Sequence, residues 1–471
     1  MLQSLQAEGA HAFSPAPVRP ETVAASRPWR AIHACDSVHQ VLSAVEAQAV
    51  VGMRPYVLTP QGECLKQSCF RNRSLEAPNP VSLLNAWGEV RKWRRNLMET
   101  EVERGIPAAN ADLVHAHCFS AGMAAVRNCS AVVYDFCQPI ESTAQTHAGA
   151  QGNPHSQPPH PQSKDLSWLA RSFAVAEQFV LTRAGAVVVH AGAMRENALR
   201  RGCAPENVFQ IPEPLSPEVM DFLAGPQSLV PGKVAGTVPV KTDDQEGIVF
   251  FAPDVCLQAD PSAPQQAIKN IEFLLQAFAL WRQEIASARL FVVATAVCAV
   301  ALLERATALG IADFVFAVPA DECERMFAES HVVIALGETS QASAPENRLA
   351  GSSAVSPHVF SSALRGMIAG RALLAADSSC HRDLSPHGRG LLWFRNGDVQ
   401  DLASRAAFLA RNPGLCDALA TTARRHLLET RSPEAVGCQY DAVYQRVFAR
   451  RKTDGSTPVT GIHLQPLLVC F

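Results

Sequence analysis

The sequence predicts an α/β protein made of two Rossmann-like, doubly wound domains facing each other across a cleft. Three observations carry that prediction. Short β-branched apolar runs alternate with helical patterns, which is the signature of parallel sheets covered on both faces. The alternation occurs twice, separated by a Pro/Gly/Val/Thr-rich stretch at 226–246. The chain of 471 residues is long enough to give each series its own core.

Residues 1–28 are rich in Ala, Pro and Ser and are expected to be disordered, with neither the basic start nor the apolar run of a signal peptide. The first series follows in "WRAIHACD" (29–36, strand), "SVHQVLSAVEAQAVVGM" (helix) and "RPYVLTP" (strand). It continues through the runs "ADLVHAH" (111–117), "SAVVYDF" (130–136), "AGAVVVHA" (184–191) and "ENVFQIP" (206–212), with a helix at 167–183. The second series reads "GIVFFAP", "NIEFLLQAFALWRQEI", "ARLFVVAT", "DFVFAVP", "HVVIALG" and "GRALLAAD". Within 356–379 the pattern is a polar loop, a short helix ended by Gly370, and a buried strand. The expected division is 29–225, a linker at 226–246, 247–430, and a final helix and tail at 431–471. Two long stretches without periodicity, 141–165 and 337–357, read as inserts.

Composition narrows the function classes. The chain is 48% hydrophobic and 18% charged with a net charge of −3, a balance that does not point to nucleic acid. Its 14 cysteines are scattered without a single CxxC, which suits free thiols in a reducing compartment. The most apolar run, 290–303, is too short to span a bilayer. A cytoplasmic protein is the expectation. His147, His155 and His160 lie in a Pro/Gln/His-rich tract with no fixed ligand spacing, so no metal site is expected from the sequence.

Several segments, in order, resemble the family-four type of GT-B glycosyltransferases, the two-domain enzymes that move a sugar from a nucleotide donor with retention. In the first half they are "AVVGMRPYVLTP", "ADLVHAHCFSAGMAA", "SAVVYDF" and "WLARSFAVAEQFVLTRAGAVVV…AMRENALRRGCAPENVFQIPEPL". In the second they are "KNIEFLLQAFALWRQEIASARLFVVA", "LRGMIAGRALLAAD" and "HGRGLLWFRNGDVQDLASRAAFLARNP". The resemblance implies an acceptor-side first domain, a donor-side second domain, and a last helix at about 433–450 crossing back onto the first. It implies a nucleotide-sugar donor and a glycan or lipid-linked acceptor, with no cofactor and no metal.

The resemblance also assigns residues. His117 matches the family's histidine at a strand's carboxyl end, as a catalytic candidate or as a structural residue. The family's His-Asp pair falls on Cys137 and Gln138, and its donor-side Arg falls on Pro253, while Lys269 keeps the family's Lys. The two glutamates spaced eight positions apart fall on Pro357 and Arg365. Arg365 only donates hydrogen bonds, so it is read either as a donor contact or as an ion-paired helix residue. His358 and Lys269 are the other donor-binding candidates, and Glu346, in the insert, is a candidate replacement acid. With the donor pattern degenerate in this way, two functions are expected: sugar transfer with a remodelled donor pocket, or a catalytically inactive binding or partner subunit. A sugar-nucleotide epimerase on the same plan is a third. The segment 81–103 carries Leu84, Trp87 and Leu97 on one stripe beside Arg91, Lys92, Arg94 and Arg95. It is a candidate for peripheral contact with the inner face of a membrane, or a core-packing helix with a solvated basic face.

Overall fold

The structure is a computed structural model that describes residues 30–34, 42–58, 64–66, 90–92, 113–129, 131–137, 163–224, 247–253, 264–336 and 362–453. Two sheets organise these residues. The first has seven strands: β1 (Arg30–Ala34), β2 (Arg54–Leu58), β3 (Cys64–Lys66), β4 (Leu113–Ala116), β5 (Val132–Asp135), β6 (Ala186–Val189) and β7 (Val208–Gln210). Their order is β3-β2-β1-β4-β5-β6-β7, with only β3 antiparallel to its neighbour. The second has six: β8 (Val249–Ala252), β9 (Arg289–Val293), β10 (Val315–Val318), β11 (Val332–Ala335), β12 (Ala372–Ala376) and β13 (Leu391–Phe394). They run β10-β9-β8-β11-β12-β13, with every pairing parallel.

Both sheets therefore reverse direction of growth beside their first strand, at β1/β4 and at β8/β11. Crevices at such switch points, beyond the carboxyl ends of the strands, are where open α/β sheets hold ligands. The expected two doubly wound domains are present. Sequences such as "VVIA" in β11 and "ALLAA" in β12 are buried along their whole length, as strands covered on both faces must be. The short helix Ser362–Ile368 is closed by Gly370 at φ +66°, which turns the chain sharply into β12.

Each sheet is sandwiched. One face of the first packs on helices Phe119–Asn128, Ser163–Arg183 and Gly192–Arg200. Its other face packs on Leu42–Val50 and on the last helix, Pro433–Thr453. The contact between those two helices is close: a Cβ on Gly437 would lie 2.3 Å from the Ala47 carbonyl oxygen. The second sheet buries Trp281 between Phe250 and Phe278, each with ring centroids 5.1 Å away. Helix Pro217–Ala224 precedes the linker stretch but places Leu223 in the second sheet's core.

The chain thus crosses between the halves twice, and the crossings are bonded: Leu215 N–H donates to the Arg431 carbonyl at 2.9 Å. A second clasp lies at the carboxyl edges. Asp383, just past β12, accepts from Gly192 N–H at 2.7 Å and from Gln210 Nε2 at 3.0 Å. Gly192 opens the helix after β6, whose preceding Ala191 has no side chain able to cap it. A carboxylate from the other half supplies the missing acceptor. The carboxyl edges of the two sheets therefore meet. Among the described residues, no helix is long and apolar enough to cross a membrane.

Candidate functional site

Strand alternation builds the site. On the face covered by Pro433–Thr453, the buried row Leu113 of β4 is followed two residues on by His115 and then His117. Along β5 the row is Ala131, Val133, Asp135, and along β6 it is Ala186, Val188 and, just past its end, His190. In the β1–β4 ladder His33 lies directly opposite His115. Apolar residues thus fill the middle of this face, and ionisable residues take over at its carboxyl edge. Four strands deliver five such groups to one place.

The groups form a continuous hydrogen-bonded network. The Asp135 carboxylate accepts from His117 Nδ1 at 2.9 Å, from His190 Nε2 at 3.2 Å and from the Cys137 thiol at 3.2 Å. His190 Nδ1 donates to the Ile211 carbonyl at 2.8 Å. His117 Nε2 lies 2.9 Å from His33 Nδ1, and His33 Nε2 meets the Gln48 side-chain oxygen at 2.9 Å. Gln48 Nε2 donates to the Tyr444 hydroxyl at 3.0 Å, and that hydroxyl is 2.8 Å from His115 Nδ1. Tyr444 belongs to the last helix, so closing this network depends on that helix returning to the first sheet.

Electrostatics follow from burial and pairing. Burial opposes charge on both Asp135 and His190, yet their mutual attraction prevails, helped for Asp135 by the bond from His117. Asp135 is held well below the usual carboxylate range and His190 well above the usual histidine value. Donation from both nitrogens of His190 agrees with an imidazolium. Burial, then the neighbouring His117, lowers His33 to about 3 and puts His115 far below its ordinary value, so both are neutral. His115 Nε2 is a buried nitrogen with no hydrogen-bond partner. An unmet buried polar group of this kind costs about 1–3 kcal/mol.

The residues named from the sequence fall in different settings. His117 is at the end of β4 with its side chain 3% exposed and both nitrogens engaged. Cys137 is exposed and follows Asp135 by two residues. Lys269 is exposed on helix Pro264–Glu284, the first helix after β8. Arg365 is ion-paired with Glu324 and lies over the Phe327 ring at 4.9 Å from its centroid, which draws it into packing between helices. Pro253 directly follows β8 and is buried. Gln138, Glu346, Pro357 and His358 lie outside the described residues, as do the linker, the 337–357 insert and most of 141–165. Of the segment 81–103 only Val90–Lys92 is described, in helical conformation with Val90 buried.

No protein-family model matches the sequence, and no curated relative matches it. Among solved structures the chain is similar to a sucrose-phosphate synthase from Thermosynechococcus elongatus, at 14% identity over 90% of this chain and 100% of that one, with a TM-score of 0.47. It is similar to a glycosyltransferase from Rickettsia africae ESF-5, at 11% identity over 90% and 99% of the two chains, TM-score 0.49. A third is HepE from Anabaena in complex with UDP, at 12% identity over 89% and 100%, TM-score 0.47. The likeness is to the two-domain GT-B fold. At such identities and TM-scores the likeness carries no argument about chemistry.

Sequence reasoning singled out His117 and passed over its partners. His33, His115, Asp135 and His190 each sit one or two residues from the end of an apolar strand run, in "AIHA", "VHAH", "VVYD" and "VVVH". An ionisable residue at the carboxyl end of four of the first half's apolar strand runs was the available signal. Gln48 and Tyr444 gave none, since a Gln and a Tyr on helices have many ordinary uses.

Proposed function

We propose that the chain is a glycosyl-transfer protein that takes a nucleotide sugar in the cleft between the two carboxyl edges and passes the sugar, with retention, to a glycan or lipid-linked acceptor. The observation that supports this reading is the Asp383 clasp, which holds the carboxyl edges of two doubly wound sheets face to face. On the first wall, His117 and Asp135 form a rigid polar floor for the acceptor. On the second, Lys269 lies on the first helix after the switch-point strand β8, suited to the growing negative charge of the leaving diphosphate. Glu346 and His358 complete the donor side, and Arg365 contributes once released from Glu324. The donor is a substrate, and the reading calls on no cofactor. Cytoplasmic residence, with 81–103 resting on the inner face of a membrane, belongs to the same reading.

Thermal shift with a panel of nucleoside diphosphates and their sugars tests it. Binding to the folded state raises the melting temperature by mass action. One nucleotide is expected to respond, and Lys269→Ala should weaken it about tenfold, the loss of one charge-assisted contact. A flat panel overturns the proposal.

A second reading, a binding or partner subunit without transfer, is favoured by the diversion of Arg365 to Glu324 and Phe327. A nucleotide that binds without its sugar ever being released, to water or to any acceptor, would support that reading instead.

A further inference from the structure

We infer that His33, His115 and His117 form a binding site for one divalent transition-metal ion, Zn2+ by its ligand chemistry, at the β1/β4 switch point. The inference does not depend on sugar transfer, although His117 takes part in both readings. One ring nitrogen of each histidine lies within 4.8 Å of one on the other two, and all three residues are buried.

The network decides which nitrogens face an ion. Asp135 takes the hydrogen of His117 Nδ1, the Gln48 oxygen takes that of His33 Nε2, and the Tyr444 hydroxyl holds His115 Nδ1. That leaves His117 Nε2, His33 Nδ1 and His115 Nε2 as the nitrogens not held by those oxygens, the first two bonded to each other. Holding the outer nitrogen of a histidine with an oxygen is how proteins orient imidazoles on metals, and here it happens three times. Two features of these nitrogens suit an ion. With the outer hydrogens placed in this way, His33 Nδ1 and His117 Nε2 face each other at 2.9 Å, an approach that a shared proton or a cation satisfies. His115 Nε2 is buried with no partner, whichever tautomer the ring takes.

Zn2+ binds imidazole nitrogen at about 2.0–2.1 Å, so tetrahedral ligands sit roughly 3.3 Å apart. Loading therefore needs His33 and His117 to separate by a few tenths of an ångström. Three imidazole nitrogens suit Zn2+ over Mg2+ or Ca2+, which take oxygen ligands, and leave a fourth position for water. Any proton shared between His33 and His117 is released as the ion enters. The neighbouring Asp135, Cys137 and His190 are also close enough to one another to share an ion. That set is the poorer one, because both His190 nitrogens already donate, to Ile211 and Asp135.

The test uses the full chain, stripped with a chelator and titrated with Zn2+ and, separately, Co2+. The expected result is one ion per chain, a raised melting temperature with Zn2+, and the visible absorption of tetrahedral cobalt without a thiolate charge-transfer band. His115→Gln should abolish the cobalt absorption while far-ultraviolet circular dichroism stays unchanged. If that variant does not fold, the cobalt spectrum of the unmodified chain decides alone. The inference is overturned by the absence of a stoichiometric ion, by binding that survives His115→Gln, or by a thiolate band that Cys137→Ser removes.

Discussion

The two halves repeat one strand order, yet they treat the same place in opposite ways. β1, β4 and β5 of the first sheet correspond in position to β8, β11 and β12 of the second. The first set ends in His33, His115, His117 and Asp135, all buried in one network. The second ends in Ala252, Ala335, Leu336 and Ala376, which are buried and apolar. The sharpest contrast is between two aspartates. Asp135 closes β5 with its side chain 5% exposed between two histidines, whereas Asp377 follows β12 with its side chain 37% exposed, paired to Arg382 at 2.6 Å. Position in the fold makes a crevice available, and the residues at the strand ends decide whether chemistry occupies it. In this chain the polar groups are concentrated on the first wall.

The largest expected break in that contrast comes from Asp135→Ala. It would strip the half-buried His190 imidazolium of its counterion and the buried His117 Nδ1 of its acceptor, so unfolding in urea should show a loss of about 3–5 kcal/mol. A loss below about 1 kcal/mol would mean that the network relaxes freely and that the two walls are energetically alike.

Next in size is Gly437→Ala. The added methyl would collide with the Ala47 carbonyl oxygen, which is backbone and cannot swing aside. The gain in helix propensity, up to about 1 kcal/mol, is the smaller effect. A net loss of about 1–3 kcal/mol is expected. Because the same helix carries Tyr444, the change should also disturb the histidine network, visible as altered ring-proton shifts of His115.

Acid sensitivity sharpens the comparison from the second half. His331 Nδ1 accepts from Val249 N–H, and burial, then Arg371 and Arg289, lowers its pKa. Burial lowers His426 as well, against a raising hydrogen bond with the Leu384 carbonyl. Below about 6.5, the value of a free histidine, the unfolded chain binds these protons and the folded chain does not. The stability tied to neutral His331 and His426 is therefore complete above that pH and drains away as pH falls toward their folded-state values. Urea midpoints at pH 7.5 and 5.5 should show the drop, to which the neutral His33 and His115 of the first half add, and His426→Gln should reduce it.

The smallest effect is expected from Asp377→Ala. Its pair with Arg382 is largely in solvent, and such pairs contribute about 0–1 kcal/mol. A loss comparable to that of Asp135→Ala would erase the distinction drawn between the two edges.

Much of the fold was legible because its strands are buried on both faces and so read as continuous apolar runs, as in "AVVV" and "ALLAA". β3 was not, being three residues long and held only by its antiparallel pairing with β2. β13, "LLWF", lies in a segment quoted for its resemblance without being read as a strand. Of the histidine network, His117 was singled out through the resemblance carried by "VHAHCF"; Lys269, taken from the same resemblance, lies exposed on the first helix after β8 and not in that network. The pairing of Arg365 with Glu324 was out of reach, since 41 positions of chain separate residues that only helix packing brings together.

Sequence by itself determined the two-sheet plan, because the period of apolar residues is a local property that burial of each strand and helix imposes directly. It also placed histidine and aspartate near strand ends. Only the tertiary structure decided that His33, His115, His117, Asp135 and His190 meet. Their meeting depends on strand order and on which face each strand turns to the last helix. Tyr444 joins from 329 positions beyond His115, carried there when the chain crosses back to the first sheet. Hydrogen bonds act over about 3 Å, and nothing in a linear pattern fixes a distance that short between residues so far apart in the chain.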